Sequence, residues 1–141
     1  MTWGRSAAHA GGVSLTEMLD RARARIRNLS SDEVAAALDH GDVVLVDVRE
    51  PTETAAGTIP GALLVPRGML EFHADPTSAY HLSELQPHRP VIVYCRSGAR
   101  SALAAATLAA MGYADVAHLD GGITAWSDSQ RPIARPDEWR P

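Results

Sequence analysis

Residues 91–100 read Val91-Ile92-Val93-Tyr94-Cys95-Arg96-Ser97-Gly98-Ala99-Arg100: four apolar, β-prone residues running directly into a short polar loop. A continuous β-branched and aromatic run suits a strand covered on both faces, as parallel strands are. Beyond the loop, Ser101 to Met111 is rich in Ala and Leu and is closed by Gly112, which predicts a helix. The unit is therefore strand, loop, helix. In parallel sheets ligands bind beyond the carboxyl ends of the strands, and Cys95 stands at such an end.

Val43 to Val48 is a second near-continuous apolar run, interrupted only by Asp47. Ala62 to Val65 and Val116 to Leu119 read as shorter strands. Ser14 with Glu17, and Ser30 with Glu33, each have the spacing of a capping box. They predict one helix running to about Arg27 and another through Leu38, the second stopped by Gly41. The first helix has its apolar side at Leu15, Met18, Leu19, Ala22 and Ile26. Its arginines at 21, 23, 25 and 27 scatter round the cylinder, as on a solvated face. Pro51 suits the first turn of a short helix ending at Gly57. Gly68 to Gln86 reads as mostly irregular, with one helical turn near Met69 to His73. Gly121-Gly122 turns the chain into a last short helix carrying Trp126, and the proline-containing tail after Arg131 is expected along the surface. Strands alternating with helices imply parallel strands joined by right-handed crossovers, an α/β layered domain.

The 141 residues suit one domain, which is large enough to bury a core without disulfides or a structural metal. All thirteen basic residues are Arg, which reads as a coding bias, and the formal net charge of −4 argues against nucleic-acid binding. The single cysteine excludes an intrachain disulfide and any site of several thiolates. Met1 to Val13 lacks the apolar core of a secretory signal, and no stretch approaches a membrane span. A cytoplasmic protein with a reduced thiol is expected.

A lone cysteine is more often a small buried hydrophobe than a nucleophile. Here its neighbours argue otherwise. The start of the following helix has backbone N–H groups without internal partners and the positive end of the macrodipole. Arg96 and Arg100 add full charges, and Gly98 allows a tight loop. All of these favour thiolate over thiol, and the thiolate is the nucleophilic form.

The C-x4-R loop after Val-Ile-Val-Tyr resembles the active-site loop of rhodanese-domain sulfurtransferases. Asp47-Val48-Arg49-Glu50-Pro51 followed by Gly57-Thr58-Ile59-Pro60-Gly61-Ala62 resembles that family's first signature, and Asp120-Gly121-Gly122-Ile123 with Trp126 its closing one. Thr58 and Thr54 depart from it at positions expected to support packing. The resemblance runs from about Ile26 to Ile133. It implies an open parallel sheet of about five strands with helices on both faces. Residues 1–28 would then be an N-terminal flank with an extra helix, 29–133 the domain and 134–141 a tail.

The resemblance also implies a persulfide cycle. Cys95 takes sulfur from a small anionic donor such as thiosulfate or a persulfide, and passes it to cyanide or a thiol, with room for a protein sulfur acceptor. Arg96, Ser97, Gly98, Ala99 and Arg100 form the binding loop, with no cofactor and no metal. Related phosphatases and arsenate reductases use a C-x5-R loop, so the shorter loop argues for a sulfur atom over a phosphoryl group.

Asp47 and Arg49 read as an ion pair or loop brace, and Arg67 as a candidate third anion contact. His73, Asp75 and His81 form no recognised ligand pattern, and His9, His40, His88 and His118 offer no cluster. No G-x-G-x-x-G or P-loop pattern is present. Two other classes remain open: a binding module that uses the fold and the N-terminal helix to engage a partner, and a redox or persulfide sensor read through Cys95. With no second cysteine, any disulfide of the sensor would be intermolecular.

Overall fold

The computed structural model describes residues 11–139; the Gly, Ala and Ser-rich stretch of residues 1–13, expected from its composition to be loose, lies outside them up to residue 10. Both capping boxes form. Glu17 N donates to Ser14 Oγ (3.1 Å) and Ser14 N to Glu17 Oε1 (3.4 Å), opening α1 at Leu15–Arg25. Ser30 and Glu33 repeat the pattern at α2, Ser31–Asp39.

Between them lies β1, Arg27–Leu29, a strand the sequence did not announce. It straddles residues 28 and 29, where the flank was expected to end. Only Leu29 is buried in it, so three residues carry no readable alternation. Its existence depends on a neighbour: Arg27, Asn28 and Leu29 pair in parallel with Ala117, His118 and Leu119.

The remaining elements are β2 (Val44–Asp47), α3 (Pro51–Thr54), β3 (Leu63–Leu64), a 3₁₀ turn at Arg67–Met69, α4 (Leu70–Ala74), β4 (Val91–Tyr94), α5 (Ala99–Ala110), β5 (Val116–Leu119), α6 (Gly122–Asp128) and α7 (Pro136–Trp139). The five strands form one all-parallel sheet in the order β1-β5-β4-β2-β3, with helices on both faces. The continuous apolar runs have their explanation here, because alternate residues of β2 and β4 serve opposite cores. Val44, Val46, Val91, Val93 and Cys95 join Leu70, Ala104, Ala105 and Leu108 on one side. Leu45, Ile92 and Tyr94 join Val34, Ile123 and Trp126 on the other. Each Val, Leu or Ile among them taken fully from water contributes about 1.5–3 kcal/mol.

α1 rests on α5, but through a narrower contact than its pattern suggested. Ala22 is its only buried residue, and Leu15 and Met18 are 62% and 47% exposed. The C-terminal tail is tied to the domain: Thr58 and Ala134 exchange backbone hydrogen bonds of 2.8 and 3.0 Å, and Trp126 Nε1 donates to Pro132 O. No helix among the described residues is long and apolar enough to cross a membrane.

Candidate active site

Cys95 leaves β4 at its carboxyl end and is 1% exposed, with its sulfur at the floor of the loop. Gly98 N and Ser101 N donate to Sγ at 3.2 and 3.3 Å, and Ser101 Oγ lies 3.4 Å from it. The chain must turn sharply to bring two amides onto one atom, and it does so at Gly98 (φ +111°), the residue before α5. A side chain there would be strained by that φ and would meet Gly121 N at 3.3 Å.

The Asp120-Gly121-Gly122 turn closes the loop from outside. Ile123 N donates to Cys95 O (2.9 Å) and Thr124 N to Arg96 O (3.1 Å). Gly122 makes this approach possible. At φ +64° a Cβ on it would overlap the Arg96 carbonyl and sit 2.6 Å from Ser97 N. The second glycine of the motif thus packs one turn against the other.

The arginines divide by position. Arg96 is exposed and lines a cleft of ≈ 470 Å³ with Arg49, Glu53, Ile123 and Thr124. Arg100 is held by Glu53 in a two-bond fork (2.7 and 2.9 Å). This hydrogen-bonded pairing lowers the Glu53 carboxyl to about 2. Ser97 and Ala99 are exposed on the rim of the loop.

Asp47 and Arg49 form a buried pair. Arg49 reaches Asp47 through Nε and Nη2, the latter at 2.8 Å, and also donates to Gly57 O at 2.7 Å. Burial works against the Arg49 charge, but the hydrogen bond and charge of Asp47 outweigh it and raise the guanidinium pKa. The guanidinium also lies 5.8 Å over the Tyr94 ring, whose hydroxyl accepts from Ile59 N. The pair ties the end of β2 to the Gly57 turn, as a brace does. Arg67 is engaged elsewhere, donating to Glu71 (2.9 Å) and Thr107 (3.3 Å). It lines a second groove with Arg21, Arg25 and Arg100, between α1 and α5.

His73, Asp75 and His81 each serve local backbone: His73 meets Tyr80 O, His81 meets Leu85 O, and Asp75 accepts from Thr77. Four residues at the site were not singled out from sequence: Glu53, Ser101, His118 and Asn28. Ser101 directly follows the loop, and Glu53 occupies the third position of a helix opened by Pro51, so both had a positional signal. His118 is fully buried, with Nδ1 2.9 Å from Ser101 Oγ and Nε2 2.8 Å from Asn28 Oδ1. Burial lowers its pKa, Asp120 opposes this, and Arg23 reinforces it.

Known proteins resemble this chain along most of its length. A protein named sulfurtransferase from Allochromatium vinosum is 40% identical over 113 residues, covering 79% of this chain and 98% of that protein. The thiosulfate sulfurtransferase GlpE of Pseudoalteromonas translucida is 34% identical over 100 residues, covering 71% of this chain and 88% of that one. The probable adenylyltransferase/sulfurtransferase MoeZ of Mycobacterium tuberculosis is 38% identical over 96 residues, 67% of this chain, which there spans only 23% of the relative. A solved structure from Rhodopseudomonas palustris, described as a protein of unknown function and possible tyrosine phosphatase, superposes with a TM-score of 0.83 at 39% identity, over 92% of this chain and 100% of that one. With the rhodanese-like domain model matching residues 30–129, and so the whole cysteine loop with both flanking signatures, the chain belongs to the rhodanese-like family.

Proposed function

We propose that the protein is a sulfurtransferase that carries sulfane sulfur on Cys95. The observation that supports this best is the convergence of the Gly98 and Ser101 amides on one buried sulfur at the carboxyl end of β4. Such fixed donors stabilise negative charge without reorganising, whether it sits on a thiolate or on a persulfide beyond it. The names of the relatives from Allochromatium and Pseudoalteromonas point the same way.

In the proposed cycle the Cys95 thiolate attacks the outer sulfur of thiosulfate. A sulfur–sulfur bond forms at Cys95, the bond to the sulfonate sulfur breaks, and sulfite leaves with its electron pair. Cyanide or a thiolate acceptor then attacks the outer sulfur of the persulfide and regenerates the Cys95 thiolate. This is nucleophilic catalysis through a covalent intermediate. Arg96, exposed in the cleft, attracts the anionic donor, and Arg100 adds charge at the loop although Glu53 shares it. Asp47 and Arg49 hold the neighbouring turn and do not touch the sulfur. A persulfide donor, or a protein acceptor in the cytoplasm, fits the same cradle. Within this reading residues 29–133 carry the chemistry, and residues 1–28 and 134–141 flank it.

Thiosulfate-to-cyanide transfer by the wild type and Cys95→Ser, with intact mass after exposure to thiosulfate, tests the proposal. Turnover and a gain of one sulfur atom in the wild type alone are expected. The absence of both with thiosulfate and with a glutathione persulfide donor would overturn it. Hydrolysis of p-nitrophenyl phosphate in place of sulfur transfer would favour the phosphatase description attached to the Rhodopseudomonas protein.

A further inference from the structure

Behind the active sulfur the structure places a file of polar groups that the persulfide cycle does not use. Cys95 Sγ lies 3.4 Å from Ser101 Oγ, Ser101 Oγ lies 2.9 Å from His118 Nδ1, and His118 Nε2 lies 2.8 Å from Asn28 Oδ1. Cys95, Ser101 and His118 are at most 1% exposed, so water does not substitute for these contacts. The file crosses three elements. Ser101 is on α5, His118 on β5, and Asn28 on β1, directly opposite His118 in the parallel register.

The proton positions follow from the far end. The Asn28 amide nitrogen donates to Arg23 O (3.0 Å) and Ile26 O (3.4 Å). Two carbonyls can only accept, so the NH₂ group faces them and the amide oxygen faces the histidine. His118 Nε2 must then carry a hydrogen, which leaves Nδ1 of the neutral ring as an acceptor. The Ser101 hydroxyl has two acceptors in reach, Gly98 O at 3.3 Å and His118 Nδ1 at 2.9 Å, and the nearer is the ring. With its proton directed to His118, Ser101 Oγ is free to accept the S–H of Cys95.

We propose that Ser101, His118 and Asn28 form a proton relay that ionises Cys95. The S–H bond breaks and its proton passes to Ser101 Oγ, while the serine's own proton passes to His118 Nδ1. The products are a thiolate, a neutral serine that now donates to it, and an imidazolium whose Nε2–H remains on Asn28. No oxidant or co-reactant is needed, and the reverse step restores the thiol. Ser101 touches the reacting atom, whereas His118 and Asn28 act through it as positioning residues.

The charges acting on the ring are Asp120, just past its own strand, and Arg23 of α1. From β4 and α5 it is reached by Cys95 through Ser101, and from β1 by Asn28. Burial makes an isolated imidazolium unfavourable, so the charged ring forms together with the thiolate it faces. Asn28, Arg23 and Ile26 all precede the segment matched by the family model, which begins at residue 30. Residues ahead of the segment matched by the family model therefore set the protonation of the active cysteine.

The inference rests on reading Cys95 as the nucleophile but is read out without sulfur transfer. Because the chain has one cysteine, the ultraviolet absorbance of the thiolate, taken as a difference against Cys95→Ser, titrates Cys95 alone. His118→Asn keeps an amide oxygen near the position of Nδ1 but cannot take a proton, and the midpoint of thiolate formation is expected to rise by about one pH unit. Ser101→Ala is expected to raise it as well. Asn28→Asp places a carboxylate on Nε2, favours the imidazolium and is expected to move the midpoint the opposite way, down by about half a unit or more. The pH profile of kcat/KM should shift in step with each variant, and thermal unfolding of each confirms the fold. A merely structural role would not produce shifts of opposite sign. Unchanged midpoints, or the same direction for His118→Asn and Asn28→Asp, would overturn the relay. Should His118→Asn fail to fold, the downward shift in Asn28→Asp still decides. Midpoints that move as expected in a protein without sulfur transfer would sustain the relay and sink the sulfurtransferase reading.

Discussion

Two arginine–carboxylate pairs flank the cysteine loop, and they differ in nearly everything but chemistry. Asp47 and Arg49 are two residues apart, with side chains 0% and 7% exposed. Glu53 and Arg100 are 47 residues apart, with side chains 29% and 39% exposed. The first pair is committed to the fold. Arg49 Nη2 also donates to Gly57 O, so removal of the side chain strips the buried Asp47 carboxylate of its guanidinium, leaving it the backbone N–H of residue 49, and takes the side-chain donor from Gly57 O. The second sits at the mouth of the site, where water can replace either partner. Position decides whether the same ion pair serves stability or holds a charge near a substrate.

Arg49→Ala should be the most damaging change, lowering stability by about 3–5 kcal/mol in denaturant unfolding because Asp47 is left charged and buried. A loss no larger than that of Arg100→Ala would abolish the distinction. Arg100→Ala should lower kcat/KM for thiosulfate by about tenfold, the effect of a contact of about 1.4 kcal/mol, while stability changes by about 1 kcal/mol or less.

The Glu53–Arg100 pair also has a pH signature. Its carboxyl lies at about 2 in the folded chain against an ordinary 4.5, so it binds protons less readily folded than unfolded. Its contribution to stability is complete above about 4.5 and disappears as pH falls toward 2. Glu53→Gln should flatten that part of the stability–pH curve, and a slope equal to that of the wild type would refute the assignment. Arg67→Ala should be smallest of all. Its i,i+4 pair with Glu71 is worth about 0.3–0.5 kcal/mol, and kcat/KM for thiosulfate should stay within about twofold. A tenfold loss would return Arg67 to the substrate site.

How much of this was visible in the residues varies element by element. β2 and β4 were readable because burial on both faces demands unbroken apolar runs, and α1 and α2 because a capping box is local to four residues. α5 starts at Ala99, two residues ahead of its sequence boundary, because the loop itself supplies the first turn. β1 carried no pattern, since a three-residue edge strand is defined by its partner. The same divide runs through the site. Cys95 and its loop are contiguous, and their chemistry could be argued from spacing. Glu53, His118 and Asn28 come from other segments; Glu53 had only its place in the helix opened by Pro51, and nothing in the neighbourhoods of His118 and Asn28 marked them. His118 in particular looked like one histidine among six.

Residue order alone specifies the strand–loop–helix unit around Cys95, the layered α/β class and the glycines its turns require, because each follows from short-range sterics and hydrophobic periodicity. Packing in three dimensions sets which distant polar groups meet. It brought Glu53 to Arg100 across the chain, and aligned Asn28, His118 and Ser101 behind the sulfur. The physical reason is that hydrogen bonds and ion pairs act over a few ångströms in space, and the parallel register of β1 with β5 fixes those distances for residues 90 positions apart.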